Sequence, residues 1–222
     1  MKLSTVVVTF NRKDLLLKNI EMQLIQTYPI NHLLIIDNHS TDGTYDFLKG
    51  KGILDDSRII FFDTGKNLGG AGGFEYGIRK AYEIGDDCIC LMDDDGRPMN
   101  KDCFFEVMQQ IARVKDLRSV PIFINSLVQK NETDITFPLE GKIDKVSDAL
   151  ESSINGFLEG YGSPFNGTFI NRKLIEEIGL PRGEFFIRYD EVDYFQKAKK
   201  AKSFLGVAVN SRYYHPSTSQ YK

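Results

Sequence analysis

The chain has 222 residues, of which 41% are hydrophobic and 27% are charged, and its formal net charge at pH 7 is -3. This length and composition predict one globular domain over residues 1–222 with a substantial core. The charge gives no electrostatic reason to expect nucleic acid as a partner. No apolar run reaches the roughly 18 residues that span a bilayer, and the N-terminus has no signal-peptide pattern, so we expect a cytoplasmic protein.

The first half of the chain alternates between two kinds of hydrophobic pattern. Short apolar runs predict buried strands, and segments with helical spacing or capping residues follow them. The predicted strands are residues 4–10, 32–37, 58–63 and 88–93, and the predicted helices are residues 13–26, 44–49 and 75–84. A β-α-β series of this kind predicts an α/β fold with a mostly parallel sheet. Ligands of such sheets bind at the loops that follow the strands.

Three carboxylates, Asp93, Asp94 and Asp95, end the fourth predicted strand, and Gly96 and Pro98 stop it. Adjacent acids repel one another and resist desolvation. Their arrangement is therefore explained best by a hard divalent cation whose remaining ligands are phosphate oxygens. A solvated acidic turn is the alternative.

The loops after the first two strands carry groups suited to a nucleoside. Asp37 could accept hydrogen bonds from a base or ribose, and Arg12 could contact the base or a phosphate. Asn11 offers a cap for the first helix. Turn formation and helix capping explain Asp37 and Asp42 equally well on local grounds.

Residues 67–74 (Asn-Leu-Gly-Gly-Ala-Gly-Gly-Phe) contain four glycines within five positions. Glycines at the start of a helix let backbone N–H groups approach an anion. The spacing matches neither the Walker A motif nor the dinucleotide-binding fingerprint. A flexible loop without a ligand is the alternative.

The second half has weaker periodicity. We expect helices at residues 101–114, 172–178 and 189–201, strands at 119–125 and 203–210, a hairpin or loop at 129–134, an exposed insertion at 139–155, and a turn plus strand at 161–171. The helix at 189–201 begins with acids and ends with lysines, as its macrodipole favours. Those lysines predict either a solvated last turn or contact with an anionic membrane surface.

Five segments together resemble one enzyme family. They are residues 7–12, 36–43, 67–74, 93–95 and 185–193. Their order and spacing are similar to those of glycosyltransferase family 2 enzymes of GT-A fold, particularly the rhamnosyltransferase and galactofuranosyltransferase-like branch. The resemblance implies a single Rossmann-like domain in which residues 1–98 bind the nucleotide sugar. Residues 99–222 would bind the acceptor and add a smaller mixed sheet.

The activity implied by the resemblance is inverting, metal-dependent sugar transfer. The donor would be a UDP- or dTDP-sugar, such as galactofuranose or rhamnose, and the cofactor Mn²⁺ or Mg²⁺. The acceptor would be a glycan or lipid-linked glycan of a cell-surface polysaccharide, reached by peripheral contact at the inner face of the membrane. The chain stops where family members usually continue with helices, so it is either a minimal form or part of a longer polypeptide.

The resemblance also assigns site residues. The metal would be held by Asp93, Asp95 and His215. Donor contacts would come from the loops after the strands and from the glycine run: Thr9, Asn11, Arg12, Asp37, Asn67, Gly69, Gly70, Ala71, Gly72, Asp93 and Asp94. Glu191 matches the general base, with Asp190 as the alternative catalytic acid. Asp190 and Asp193 match acceptor contacts, and Asp193 would support the site from the next helical turn. From helical geometry alone, we expect that Asp190 and Glu191 cannot share one face, so that only one of them reaches the reaction.

Other functions fit the same composition. A sugar nucleotidyltransferase would carry a basic glycine-rich loop directly after the first strand, where this chain has residues 9–12. A non-catalytic domain would be expected to have lost Asp95, Glu191 or His215. Hydrolysis of the donor without transfer is also compatible with these residues.

Overall fold

The computed structural model of the protein describes residues 1–114, 116, 118–140, 142–162 and 165–216. Its helices are α1 (Lys13–Leu24), α2 (Thr44–Gly50), α3 (Gly69–Ile84), α4 (Cys103–Ile111), α5 (Val146–Ser152), α6 (Arg172–Ile178) and α7 (Asp190–Lys200). Its strands are β1 (Leu3–Thr9), β2 (His32–Asp37), β3 (Ile59–Asp63), β4 (Cys88–Asp93), β5 (Arg97–Pro98), β6 (Ile122–Gln129), β7 (Asp134–Leu139), β8 (Ile143–Lys145), β9 (Phe157–Glu159), β10 (Thr168–Asn171) and β11 (Phe204–Tyr214). Short 3-10 turns lie at Ile53–Asp55 and Gly183–Phe185.

One central sheet organises the fold, with the strand order β3-β2-β1-β4-β10-β6-β11-β5. The strands β3, β2, β1 and β4 are parallel, as predicted. β10 runs antiparallel to both β4 and β6, whereas β6 and β11 are parallel. The mixed part formed by the second half is therefore continuous with the central sheet. The division into a donor half and an acceptor half stays a prediction.

The core lies on both faces of this sheet because strand side chains alternate in direction. In β1, Leu3 and Val7 pack with α1 and α4 on one face, while Val6 and Val8 pack with α3, α6 and α7 on the other. Cys88 and Cys90 are fully buried on the first face, as expected for small core residues. Helices thus cover both faces of the sheet. This packing holds the carboxyl ends of β1, β2 and β4 along one edge.

Three expectations about element boundaries are wrong. α3 begins at Gly69 and not at residue 75, so the glycine run is the first turn of a helix. The segment 139–155 is not simply exposed: Ile143, Val146 and Ala149 are buried in a third apolar cluster. β11 continues to Tyr214 through an irregularity after Ala208. The sequence signals failed because these elements are short, glycine-rich or interrupted.

Other elements agree with expectation within a few residues. β6 and β7 form the hairpin anticipated at 129–134. In the predicted turn at 161–171, residues 163 and 164 lie outside the described residues. Within the described part of the chain, no helix is long and apolar enough to cross a membrane.

Asn171 joins three elements at the amino end of α6. Its Oδ1 accepts hydrogen bonds from the backbone N–H groups of Leu174 and Ile122, both at 3.0 Å, and its Nδ2 donates to Val120 O at 2.9 Å. We expect Asn171→Ala to lower the free energy of unfolding by about 2 kcal/mol or more, because a helix cap and buried polar partners are lost together. Urea denaturation measures the change.

Asn100→Ala is the matched control for this substitution. The Asn100 side chain accepts an exposed hydrogen bond from the backbone N–H of Asp102, two residues further on, so its loss should cost no more than about 0.5 kcal/mol. Equal effects of the two variants would contradict the role given to Asn171.

Candidate active site

A cavity of about 340 Å³ opens at the carboxyl edge of the parallel strands. It lies between the loops after β1, β2 and β4, the start of α3 and the segment before α7, as the parallel topology requires. Its lining residues are Val8, Thr9, Phe10, Arg12, Asn38, Asn67, Gly69, Gly70, Asp93, Asp94, Asp95, Phe186 and Ile187.

Asp93 and Asp95 line this cavity, and His215 lies next to them. One ligand atom from each lies within 4.8 Å of the others, and His215 Nε2 is 3.2 Å from Asp95 Oδ1. His215 Nδ1 is 2.7 Å from Pro216 O; a proton on Nδ1 donated to that carbonyl leaves Nε2 as the coordinating nitrogen. The structure therefore brings together the three residues assigned to the metal.

Two asparagines hold the acidic turn in place, and neither was predicted. Asn166 Nδ2 donates to Asp93 Oδ2 at 3.0 Å. Asn19 Nδ2 donates to Gly96 O at 2.6 Å and to Asp93 O at 3.2 Å from beneath the turn. Both side chains are buried. Because they are 73 and 74 residues away from Asp93, no local pattern could reveal them.

Asp94 is not part of the metal-binding cluster and is held by Thr9 and Arg12. Thr9 Oγ1 donates to its Oδ2 at 2.8 Å, and Arg12 Nη1 lies 3.2 Å from its Oδ1 and 3.0 Å from Asp95 Oδ2. Burial raises the pKa of Asp94 to about 6, although Arg12 and Thr9 act against this rise. Thr9 and Arg12 therefore support the acidic turn, and Arg12 still lines the cavity.

The electrostatics of the turn fit a bound divalent cation. Burial, followed by repulsion from Asp95, raises the pKa of Asp93 to about 7. Burial lowers the pKa of His215, but the hydrogen bond and charge of Asp95 outweigh it and raise that pKa. A cation between these donors would relieve the carboxylate repulsion. Carboxylates with one imidazole are a suitable donor set for Mn²⁺, and the carboxylates also suit Mg²⁺.

Two residues expected to contact the nucleotide face other protein groups. Asp37 Oδ1 accepts from Ser40 N at 3.1 Å and also from Ser40 Oγ. Asn11 Oδ1 accepts from Thr41 N at 2.7 Å, joining the loops after β1 and β2. Neither residue lines the cavity. Asp42 caps α1, accepting from Lys13 N at 3.2 Å. Donor contacts by Asp37 and Asn11 stay predictions.

The glycine run contributes to the cavity only in part. Asn67, Gly69 and Gly70 line the cavity, and Ala71 lines a smaller one beside it, whereas Gly72 lines neither. Asn38, which the sequence did not single out, lines the cavity and donates to Gly69 O at 3.0 Å.

The smaller cavity, of about 80 Å³, contains the acids of α7. It is lined by Gly70, Ala71, Phe74, Asp93, Phe165, Ile187, Asp190 and Glu191. Asp190 is only 3% exposed. Burial, followed by a hydrogen bond with Glu191 and repulsion from it, raises the pKa of Asp190 to about 8. Asp190 therefore keeps its proton near neutral pH, beside the side chain of Glu191.

Asp190 and Glu191 both line this cavity, although helical spacing predicts that they cannot share one face; which of the two reaches the reaction stays a prediction. They occupy the first turn of α7, where adjacent side chains project past the helix end and can converge. Asp193, by contrast, forms an ion pair with Lys197 at 2.7 Å and lines neither cavity. Its contact with an acceptor stays a prediction.

Comparisons with known proteins agree with this geometry. The sequence profile described as "Glycosyl transferase family 2" matches residues 4–138, which is more than half of the chain. Galactofuranosyltransferase GlfT1 of Mycolicibacterium smegmatis is 27% identical over 224 residues, covering 98% of this chain and 72% of that protein.

Solved glycosyltransferase structures share the fold at low sequence identity. GalNAc-T7 with UDP, GalNAc and Mn²⁺ superposes with a TM-score of 0.76 at 14% identity, covering 97% of this chain and 43% of that one. Staphylococcus aureus TarS 1-349 in complex with UDP gives a TM-score of 0.69 at 13% identity, covering 99% and 62%. This chain thus spans less than two thirds of both solved chains. The expected GT-A fold is confirmed.

We expect His215→Ala to weaken Mn²⁺ binding at least about tenfold, because one of three convergent donors is removed. Calorimetric titration of the purified protein with Mn²⁺ measures this change without any need for activity. His39→Ala is the matched control: His39 also pairs with an aspartate, Asp63, at 3.0 Å, but both side chains are exposed. An equal loss in the two variants would contradict the metal assignment.

Asp190→Asn should change how stability depends on pH. The pKa of Asp190 is raised from its ordinary value of 3.8 to about 8 in the folded protein. The folded state therefore binds this proton more tightly, so wild-type stability falls as pH rises from about 4 to about 8. The isosteric amide lacks this titration. Relative to wild type, the variant should become progressively more stable over that range in urea denaturation. Parallel curves would contradict the shift.

Proposed function

The chain belongs to glycosyl transferase family 2, and from that premise we propose that it is an inverting, metal-dependent glycosyltransferase. It moves a sugar from a nucleotide-diphosphosugar to a hydroxyl group of a glycan or lipid-linked glycan. The observation that carries this proposal is the meeting of the two cavities. They share Gly70, Asp93 and Ile187, so the metal-binding cluster and the acid pair face one space from two sides.

The larger cavity suits the nucleotide part of a donor. Phe10 is 39% exposed at its rim and offers a ring on which a base can stack. Asn38 and Asn67 add amide groups, and Arg12 adds a positive charge near the acidic turn. These groups orient a nucleoside diphosphate with its phosphates towards Asp93 and Asp95.

Asp93, Asp95 and His215 would hold the divalent ion. When bound, the ion neutralises the charge that grows on the leaving diphosphate. Asn166 orients Asp93 through the 3.0 Å hydrogen bond to Oδ2. Asn19 fixes the backbone of the turn, so the donor atoms are already arranged before the substrate arrives.

Glu191 is the proposed general base. Inversion by direct displacement needs a carboxylate to accept the proton of the acceptor hydroxyl while its oxygen attacks the anomeric carbon. Asp190, which stays protonated to about pH 8, donates a hydrogen bond to Glu191. That bond orients the Glu191 side chain. Asp190 also remains available to bind acceptor hydroxyls.

UDP-galactofuranose is the donor that the relatives favour, because the curated matches are galactofuranosyltransferases. UDP-bound structures of the same fold support a uridine nucleotide. A dTDP-sugar such as dTDP-rhamnose is the next donor to test. We place the enzyme at the cytoplasmic face of the membrane, in cell-surface polysaccharide synthesis.

A sugar nucleotidyltransferase is less well supported. The loop after β1 holds Thr9 and Arg12, which brace Asp94, and has no glycine-rich basic turn for a triphosphate. A purely binding domain would not need an acid pair with the buried Asp190 beside the metal-binding cluster.

We expect Glu191→Gln to retain Mn²⁺-dependent UDP binding and to lose turnover by about 10²–10⁴-fold, because only proton removal is lost. Transfer from UDP-galactofuranose to an acceptor glycan, followed by NMR spectroscopy, gives both the rate and the anomeric configuration. Glu177→Gln is the control, since Glu177 pairs with Lys173 on the exposed side of α6. It should leave both quantities unchanged.

Other outcomes would count against this assignment. Loss of UDP binding in a folded Glu191→Gln variant would contradict the base role. Release of free sugar by wild type, with no transfer to any glycan, would favour donor hydrolysis. Retained anomeric configuration in the product would exclude direct displacement.

A further inference from the structure

Residues 183–189, which we call the strap, lie between α6 and the acid pair. They cross the first turn of α3. The strap begins with the 3-10 turn Gly183–Phe185 and ends at Tyr189, directly before α7. Ile187 within it lines both cavities. The position of the strap therefore decides where Asp190 and Glu191 stand relative to Asp93.

The strap has an unusual backbone. Phe186 has φ 63° and ψ -60°, and Ile187 N donates to Phe185 O at 2.8 Å across it, which makes a γ-turn with positive φ. Such turns are rare and strained for residues other than glycine. Tyr189 also has a positive φ, of 76°. Strained residues of this kind persist only when the surroundings hold them in place.

The first turn of α3 is what holds the strap. The N–H of Ala71, which has no partner within the helix at this position, donates to Phe186 O at 3.1 Å. Gly69 lies directly beneath: a Cβ there would stand 2.0 Å from Phe186 O. On the next turn of the same face, a Cβ added to Gly183 would stand 3.1 Å from Gly72 Cα. Two glycines of α3 thus leave room for the strap.

We propose that Gly69 is a positioning residue for sugar transfer. Its missing side chain lets the strap sit on α3, and the strap in turn fixes the acid pair beside the metal-binding cluster. This inference rests on the proposed function for its effect on turnover, but the contact itself can be tested without substrate. The backbone N–H of Ala71 at the start of α3 thus binds a carbonyl oxygen of the protein itself. From the sequence, only a ligand anion was expected at this position.

Gly69→Ala tests the proposal. The added methyl group collides with backbone and, at φ +73°, is strained as well, so the strap must lift. In hydrogen–deuterium exchange of the apoprotein, the amides of Ala71 and residues 186–193 should exchange faster than in wild type. In Mn²⁺ and UDP-sugar, kcat should fall about 10²-fold, as expected for a misplaced catalytic group. Because Gly69, Phe186 and Ile187 also line the larger cavity, the calorimetric Kd for UDP should rise too, but by a much smaller factor than the fall in kcat.

Gly77→Ala is the matched control on the same helix. Its Cβ would stand 2.4 Å from Val6 Cγ1 and 2.9 Å from Ile36 Cγ1 in the core, away from the strap. It should lower thermal stability without selective exchange at residues 186–193 and without loss of kcat in the folded fraction. A proportional loss of kcat in both variants would overturn the proposal.

Gly183→Ala gives a milder test if Gly69→Ala does not fold. Its methyl group meets the movable carboxylate of Glu75 and the Cα of Gly72, so exchange and kcat should shift in the same directions by less. The proposal would be overturned if a folded Gly69→Ala or Gly183→Ala variant exchanged at wild-type rates over residues 186–193. It would also be overturned if the variant lost UDP affinity by the same factor as kcat. Failure of wild type to bind any nucleotide would instead refute the proposed function, and the exchange arm would still decide the role of the strap.

Discussion

The repulsion among three carboxylates at the buried end of β4 is the constraint on which the site depends. Each neighbouring element offsets part of this repulsion. Arg12 and Thr9 form hydrogen bonds with Asp94, and Asn166 donates one to an oxygen of Asp93. His215 lies within hydrogen-bond distance of Asp95. A divalent ion among Asp93, Asp95 and His215 would supply the remaining positive charge. The loops after β1 and β4, and the end of β11, are therefore arranged around one electrostatic requirement.

The acid pair of α7 is placed by packing and not by charge. α7 lies against the face of the sheet that also carries α3, with Tyr194 and Ala198 buried in the shared cluster. The chain reaches Asp190 through the strap, which crosses the start of α3. As a result, α7 presents its first turn to the loop that follows β4. The proposed donor and acceptor sites meet because two helices share one face of one sheet.

Much of the fold could be predicted from the sequence. The apolar runs that end at Asp37 and Asp93 gave the parallel strands, and the acids marked the edge where the cavity lies. The start of α3 could not be predicted, because the low helix propensity of glycine concealed a helical first turn that packs against the strap. Asn19 and Asn166 could not be found either, since only the folded chain brings them to Asp93. For Asp190 and Glu191, helical spacing was misleading because they occupy the helix end.

Calorimetric titration of UDP into the wild-type protein, with and without Mn²⁺, tests the central claim most directly. The claim is that the acidic turn of β4 binds a nucleotide diphosphate through a divalent ion. We expect saturable UDP binding that is lost when Mn²⁺ is removed by a chelator, and dTDP and GDP titrations would rank the nucleotide classes. Equal binding of UDP with and without the ion, or no binding of any of the three nucleotides, would contradict the account.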